Sequence, residues 1–199
     1  MSVFLWYYGS DTMISYLAFS GENLVNGRVW TLVTSLFIHG DFLHLLGNML
    51  FLFVFGNTLE NELEETKTLV AFFVGGTLSF LLSALFYDPE TYLIGASAAI
   101  FTLTAIVMLV KPLKFSFLFL MPQGLVAIIY FIYNILATYF GFLGNVAYIS
   151  HVIGFMIGIP LGIAWSENWV KNLLITVGLF LIYLFIVVFL VPIILGIFV

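Results

Sequence analysis

Long, unbroken apolar runs separated by short polar turns constrain this chain more than any other feature. The longest, from about Leu173 to Phe198, contains no charged residue. About 20 apolar residues are what a helix needs to cross roughly 30 Å of hydrocarbon. Composition agrees: 63% of the 199 residues are hydrophobic and 8% are charged, where soluble domains carry about 25% charge. So few charges cannot cover a water-facing surface of this size, which implies an integral membrane protein. Within lipid, every backbone polar group needs a partner in its own segment or barrel. The runs are continuous, not alternating, so the expected fold is all-α and polytopic rather than a β-barrel.

The runs place helices over about 42–60, 68–86, 94–110, 122–140, 146–165 and 173–198, with Gly141 to Asn145 as a short loop. Ahead of them, Val3 to about Ala18 is apolar but broken by Gly9, Ser10 and Asp11, and reads as a short or truncated first helix. This predicts a six-helix core over residues 1–165, then a linker and an additional C-terminal transmembrane helix over 166–199. No internal repeat or separate soluble domain is visible. The start, Met1-Ser2-Val3-Phe4, lacks the positive region of a cleavable signal peptide. Lys67, Lys111, Lys114 and Lys171 fall in alternate loops, and Arg28 is the fifth of five basic residues. The lysine side should be cytoplasmic. That puts the N-terminus inside and the C-terminus outside, provided the first helix crosses.

Cysteine is absent, which excludes disulfides and thiolate chemistry. The net charge is −5 with no basic cluster, so nucleic acid is not expected as a partner. The reactive candidates are His39, His44, His151 and Ser97, the last within Gly95-Ala96-Ser97-Ala98-Ala99. All lie at helix ends that the topology brings to one face, the extracytoplasmic one. His44 and Asn48 are i,i+4 and share a helix face. His151, Gly154 and Gly158 share another, where the glycines let a neighbouring helix approach closely. If that neighbour carries Ser97, the hydroxyl comes within reach of the imidazole. A serine hydroxyl is a weak nucleophile until a base takes its proton, and His151 is the natural base. His44, Asn48 and the Ser97 backbone amide could meet the oxyanion that attack on a carbonyl creates. Phe101, one turn below Ser97, could pack on the imidazole. No Asp or Glu lies on that face of the last three core helices, so the reading is a Ser-His dyad.

These residues, His39-x4-His44-x3-Asn48, Gly95-x-Ser97 and His151-x2-Gly154-x3-Gly158, resemble the rhomboid intramembrane serine proteases in order, spacing and helix placement. The resemblance covers about Trp30 to Gly162. It implies a compact six-helix core with its active site below the outer membrane surface. Ser97 would be the nucleophile and His151 the base. His44, Asn48 and the Ser97 amide would form the oxyanion site. Glu60 falls where the family often ties its second helix to its first loop, and Gly21 to Gly40 looks like that membrane-embedded loop. Ala98 stands where the family commonly has glycine, and Thr31 where it often has arginine.

Taken singly, Ser97 would read as a packing serine, and the glycines on the His151 face as packing glycines. A zincin motif is missing. Three histidines could hold zinc, but that leaves Ser97 unexplained. Asp11, Asp41 and Asp88 lie at ends, loops or breaks, against an aspartyl protease. Repeats and midplane charges of a transporter are not seen. No metal or other cofactor is implied. The expected partners are transmembrane protein substrates and the lipid bilayer. The runner-up is a catalytically inactive rhomboid-like protein that binds transmembrane helices.

Overall fold

A computed structural model describes residues 1–141 and 146–194. The expected loop residues 142–145, and the end of the last apolar run at 195–198, lie outside the described residues. The chain begins with two short helices, α1 (Ser2–Tyr8) and α2 (Asp11–Leu17), broken at Gly9-Ser10. The Ser10 hydroxyl accepts from the Met13 amide at 3.2 Å and so starts α2. A loop segment follows with α3 (Gly21–Val25), α4 (Thr31–Thr34) and a 3-10 turn at Ser35–Phe37.

Five long or medium helices then form the bundle: α5 (Phe42–Leu63), α6 (Glu65–Ser83), α7 (Ser97–Val110), α8 (Gln123–Phe140) and α9 (Tyr148–Trp165). Asp41 caps α5 by accepting from the His44 amide at 2.8 Å. A two-stranded hairpin, β1 (Phe115–Ser116) and β2 (Met121–Pro122), joins α7 to α8. The last apolar run is α10 (Trp169–Phe185), a π-helical turn at Ile186–Leu190 and α11 (Val191–Ile194). Among the described residues, five helical segments are long and apolar enough to cross a membrane: α5, α6, α8, α9 and the stretch Trp169–Ile194. The chain is an integral, multi-pass, all-α membrane protein with an apolar helix added at its C-terminal side.

α7 is the axis of the bundle. Every residue from Ala98 to Leu109 is buried, with α5, α6, α8, α9 and α10 around it. Its 14 residues span only ~21 Å at ~1.5 Å per residue, less than the ~30 Å hydrocarbon thickness. Lys111, just after α7, pairs with Glu62 near the end of α5 at 3.1 Å, so α7 is inset at its start relative to the 22-residue α5. Lys111-Pro112 stops it, because proline cannot continue a helix. The carbonyls left open at that end are met from outside. Leu109 O accepts from Ser166 Oγ at 2.7 Å and from Asn172 Nδ2 at 2.8 Å, and Val110 O from Asn172 Nδ2 at 3.1 Å.

The N-terminal segment does not cross. Ser2 Oγ donates to Phe37 O at 2.9 Å, and at its other end Phe19 forms a bridge with Leu93. Both contacts lie at the end of the bundle where α5 and α7 begin. The condition for an inside N-terminus is thus not met, because two short helices with a break double back where one span would be needed. Glu60 also differs from the resemblance. It is exposed on α5, and its side chain makes no hydrogen bond or ion pair with a described residue. The loop is tied to the N-terminal segment instead. Asn23 Nδ2 donates to Ser15 O and Ala18 O, both at 2.7 Å, and Ser35 Oγ accepts from the Phe19 amide.

Candidate active site

The α7–α9 seam places the central pair. A Cβ on Gly154 would collide with the Ala98 carbonyl oxygen, and one on Gly158 with the Thr102 carbonyl oxygen. Without side chains there, the backbones meet, and Thr102 Oγ1 donates to Gly154 O at 2.8 Å across the seam. Ser97 opens α7 and His151 lies in the first turn of α9, so this contact brings both side chains to one end. Ser97 Oγ lies 2.7 Å from His151 Nε2. Both residues are half-buried. Phe101, one turn below Ser97, stacks on the imidazole with centroids 4.6 Å apart and planes 9° apart. Tyr148 meets it edge-on at 6.5 Å.

The other imidazole nitrogen has a partner that sequence reasoning missed. His151 Nδ1 lies 2.7 Å from Asn134 Oδ1. Asn134 is a buried residue of α8, and its Nδ2 donates to Tyr130 O at 2.7 Å. The signal was available, since a polar side chain inside a membrane helix usually faces the interior for a reason. Asn134 lies inside α8, away from its ends, and carries no carboxylate.

The opposite wall belongs to α5 and the 94–96 loop. Gly95 has φ +105°, a conformation that residues with a Cβ rarely adopt. A Cβ there would sit 2.6 Å from His44 Nε2 and 3.4 Å from Asn48 Nδ2. The glycine therefore lets the chain pass directly beside both side chains, two residues before Ser97. His44 Nδ1 faces the Gly40 amide at 3.4 Å. Asn48 Nδ2 is buried and has no hydrogen-bond partner among the described residues. The Ser97 amide belongs to the first turn of α7, whose N–H groups have no intrahelical acceptor.

His39 stands behind this wall, its ring edge-on to His44 at 5.0 Å. Its Nδ1 lies 3.0 Å from Ser2 Oγ, and its Nε2 is buried without a partner among the described residues. Burial, with His44 close by, pushes the His39 pKa down to about 4. Among the described residues, no group of three His, Cys, Asp or Glu is placed to hold a metal ion.

A Rhomboid domain profile matches residues 26–168, most of the chain. The chain belongs to the rhomboid family. Among curated relatives, YdcA of Bacillus subtilis (strain 168) is 33% identical over 103 residues, 51% of this chain and 48% of YdcA. Rhomboid-like protease 3 of Toxoplasma gondii is 36% identical over 74 residues, 37% of this chain and 28% of that protein. Rhomboid protease GlpG of Yersinia pseudotuberculosis serotype I (strain IP32953) is 28% identical over 150 residues, 75% of this chain and 52% of GlpG. The rhomboid chain described here thus matches at most about half the length of these relatives.

Proposed function

We propose that this rhomboid protein is an intramembrane serine endopeptidase that cleaves peptide bonds in or near transmembrane segments of other membrane proteins. The observation that carries the reading is the 2.7 Å contact of Ser97 Oγ with His151 Nε2, set at the inset end of α7. In the proposed mechanism, His151 takes the Ser97 proton as the hydroxyl attacks the scissile carbonyl. The tetrahedral oxyanion meets donors from His44, Asn48 and the Ser97 backbone amide. His151 then returns the proton to the leaving amine, and water hydrolyses the acyl-enzyme by the same relay in reverse. Phe101 holds the imidazole plane, while Gly95, Gly154 and Gly158 allow the close backbone approaches.

The substrate is a transmembrane protein within the lipid bilayer. Its helix must unwind locally, because a helical carbonyl is already hydrogen-bonded and shielded. The site opens to the extracytoplasmic side, opposite the end that carries Lys67, Lys111, Lys114 and Lys171. Residues 1–165 act as the protease core, and 166–199 add a linker and helix. The reaction as written needs no metal or other cofactor.

The test is labelling of the purified protein in detergent with a fluorophosphonate probe, beside cleavage of a transmembrane reporter. We expect wild type to label and cut, and Ser97→Ala and His151→Ala to lose both, by at least about 10³-fold in rate. A folded wild type that neither labels nor cuts would transfer support to an inactive, helix-binding rhomboid protein.

A further inference from the structure

The geometry points to Asn134 as the positioning residue that fixes the base, by holding His151 in the one tautomer able to accept the Ser97 proton. The inference rests on the serine-protease reading above and adds a third member to the dyad. It begins with the amide's orientation. Oxygen and nitrogen of an asparagine are told apart by their partners. Tyr130 O, 2.7 Å from one end of the amide, is a carbonyl and can only accept. That end must be Nδ2, so the end facing His151 at 2.7 Å is Oδ1. Oδ1 can only accept in turn, so His151 Nδ1 must carry the hydrogen. A neutral imidazole has a single N–H. Its Nε2 is therefore the bare lone pair, 2.7 Å from Ser97 Oγ. The chain Tyr130 O, Asn134, His151, Ser97 thus runs in one direction only.

The reverse orientation would place Oδ1 against Tyr130 O and give Nε2 the hydrogen. The imidazole would then donate to Ser97 instead of accepting from it. The backbone of α8 is what excludes this state. An amide suits a site built from membrane helices, because it orients the ring without placing a charge there. The arrangement is similar in logic to the Cys-His-Asn systems of soluble proteases.

The first test is ¹⁵N NMR of wild type labelled at histidine, with the His151 signals assigned by their loss in His151→Gln. We expect a protonated Nδ1 and an unprotonated Nε2 at neutral pH. A protonated Nε2 overturns the inference whether or not the protein cleaves anything. The second test is Asn134→Leu beside Asn134→Asp. We expect the leucine to mix the tautomers and lower kcat about 10- to 100-fold, a part of what a general base contributes, with KM changed less than twofold. The aspartate still accepts from Nδ1, so it should keep the tautomer and remain within about tenfold of wild type. Fluorophosphonate labelling of wild type, with unchanged tautomer and kcat in Asn134→Leu, would sink Asn134 while leaving the protease reading intact. Failure of wild type to label would count against the protease reading, and the NMR result would still decide what Asn134 does. If the leucine variant does not fold, loss of the tautomer in a folded Asn134→Asp overturns the inference equally.

Discussion

The two walls of the site use their hydrogen-bonding capacity in opposite ways. On the α7–α8–α9 side the reacting atoms and those that hold them have partners: Ser97, both imidazole nitrogens of His151, and both ends of the Asn134 amide, while Ser150 Oγ beside them has none among the described residues. On the α5 side, Asn48 Nδ2, a donor, is buried with none among the described residues. Buried polar atoms are normally satisfied, and leaving one unmet costs about 1–3 kcal/mol. The difference fits the two tasks of the proposed reaction. A base must be in its reacting orientation before substrate arrives. A donor for the oxyanion is useful only if its hydrogen is free when the charge appears. The satisfied wall is preorganised in geometry, and the unsatisfied wall in capacity.

Gly154→Leu breaks the comparison most severely, because it removes the satisfied wall altogether. The new side chain would have to displace the Ala98 carbonyl, which is backbone and cannot swing aside. α9 must separate from α7, carrying His151 away from Ser97. A misplacement of about 1 Å already costs about 10²-fold in rate, so no cleavage or fluorophosphonate labelling should remain. Gly178→Leu on α10 is the matched control. A Cβ there meets nothing within 4 Å, and activity should be unchanged. Full activity in Gly154→Leu would show that the seam does not set the Ser97–His151 distance.

Asn48→Ala sharpens the comparison from the other wall. If Asn48 Nδ2 serves only the transition state, its loss should cut kcat by about 10²–10³-fold and leave the melting temperature unchanged or slightly raised. A truncation on the satisfied wall should instead lower both. A kcat within threefold of wild type would remove Asn48 from the oxyanion set, and a large fall in melting temperature would make it a structural residue.

Much of this was legible in the sequence, for identifiable reasons. The helices ending at Val110, Phe140 and Trp165 stop where they were expected to, because Pro112, Gly141 and the polar run from Ser166 interrupt apolar runs. Ser97 and His151 could be placed at one end because alternate helix ends share a face, whatever the packing details. α7 begins at Ser97 rather than near Ile94, because Gly95 takes a left-handed conformation that no hydrophobicity pattern reveals. The doubling back of residues 2–19 was hidden for a related reason. An apolar stretch with one break reads alike whether it crosses or folds over. Asn134 was missed because its partner lies on another helix, 17 residues away, and only packing decides which face of α8 looks inward. Glu60 was misplaced for the converse reason, since its position on α5 turned out to face outward.

His39 gives the smallest expected effect and probes the unsatisfied wall without touching the reaction. The Ser2 hydroxyl uses its one hydrogen on Phe37 O at 2.9 Å, so toward His39 it can only accept. His39 Nδ1 therefore carries the hydrogen, and the buried Nε2 is a lone pair with no partner among the described residues. Adding a proton puts a charge into that enclosed space beside His44, which is why burial holds the His39 pKa near 4 rather than 6.5. In the unfolded chain the same imidazole binds its proton near its ordinary value. Between these two values the unfolded state holds more protons than the folded one, so stability falls as pH drops from about 6.5 to about 4. Above that window neither state is protonated at His39, and the contribution is constant. At about 1.4 kcal/mol per pH unit the unscreened loss would be on the order of 3 kcal/mol, and solvent screening makes the expected loss smaller than that. Thermal melting in detergent at several pH values, for wild type and His39→Gln, isolates this from the titration of carboxylates. We expect the melting temperature of wild type to fall more steeply over the window, with the two curves parallel above pH 7. Parallel curves throughout would mean that His39 accepts a proton in the fold as readily as in the open chain, and that its lone pair is not enclosed.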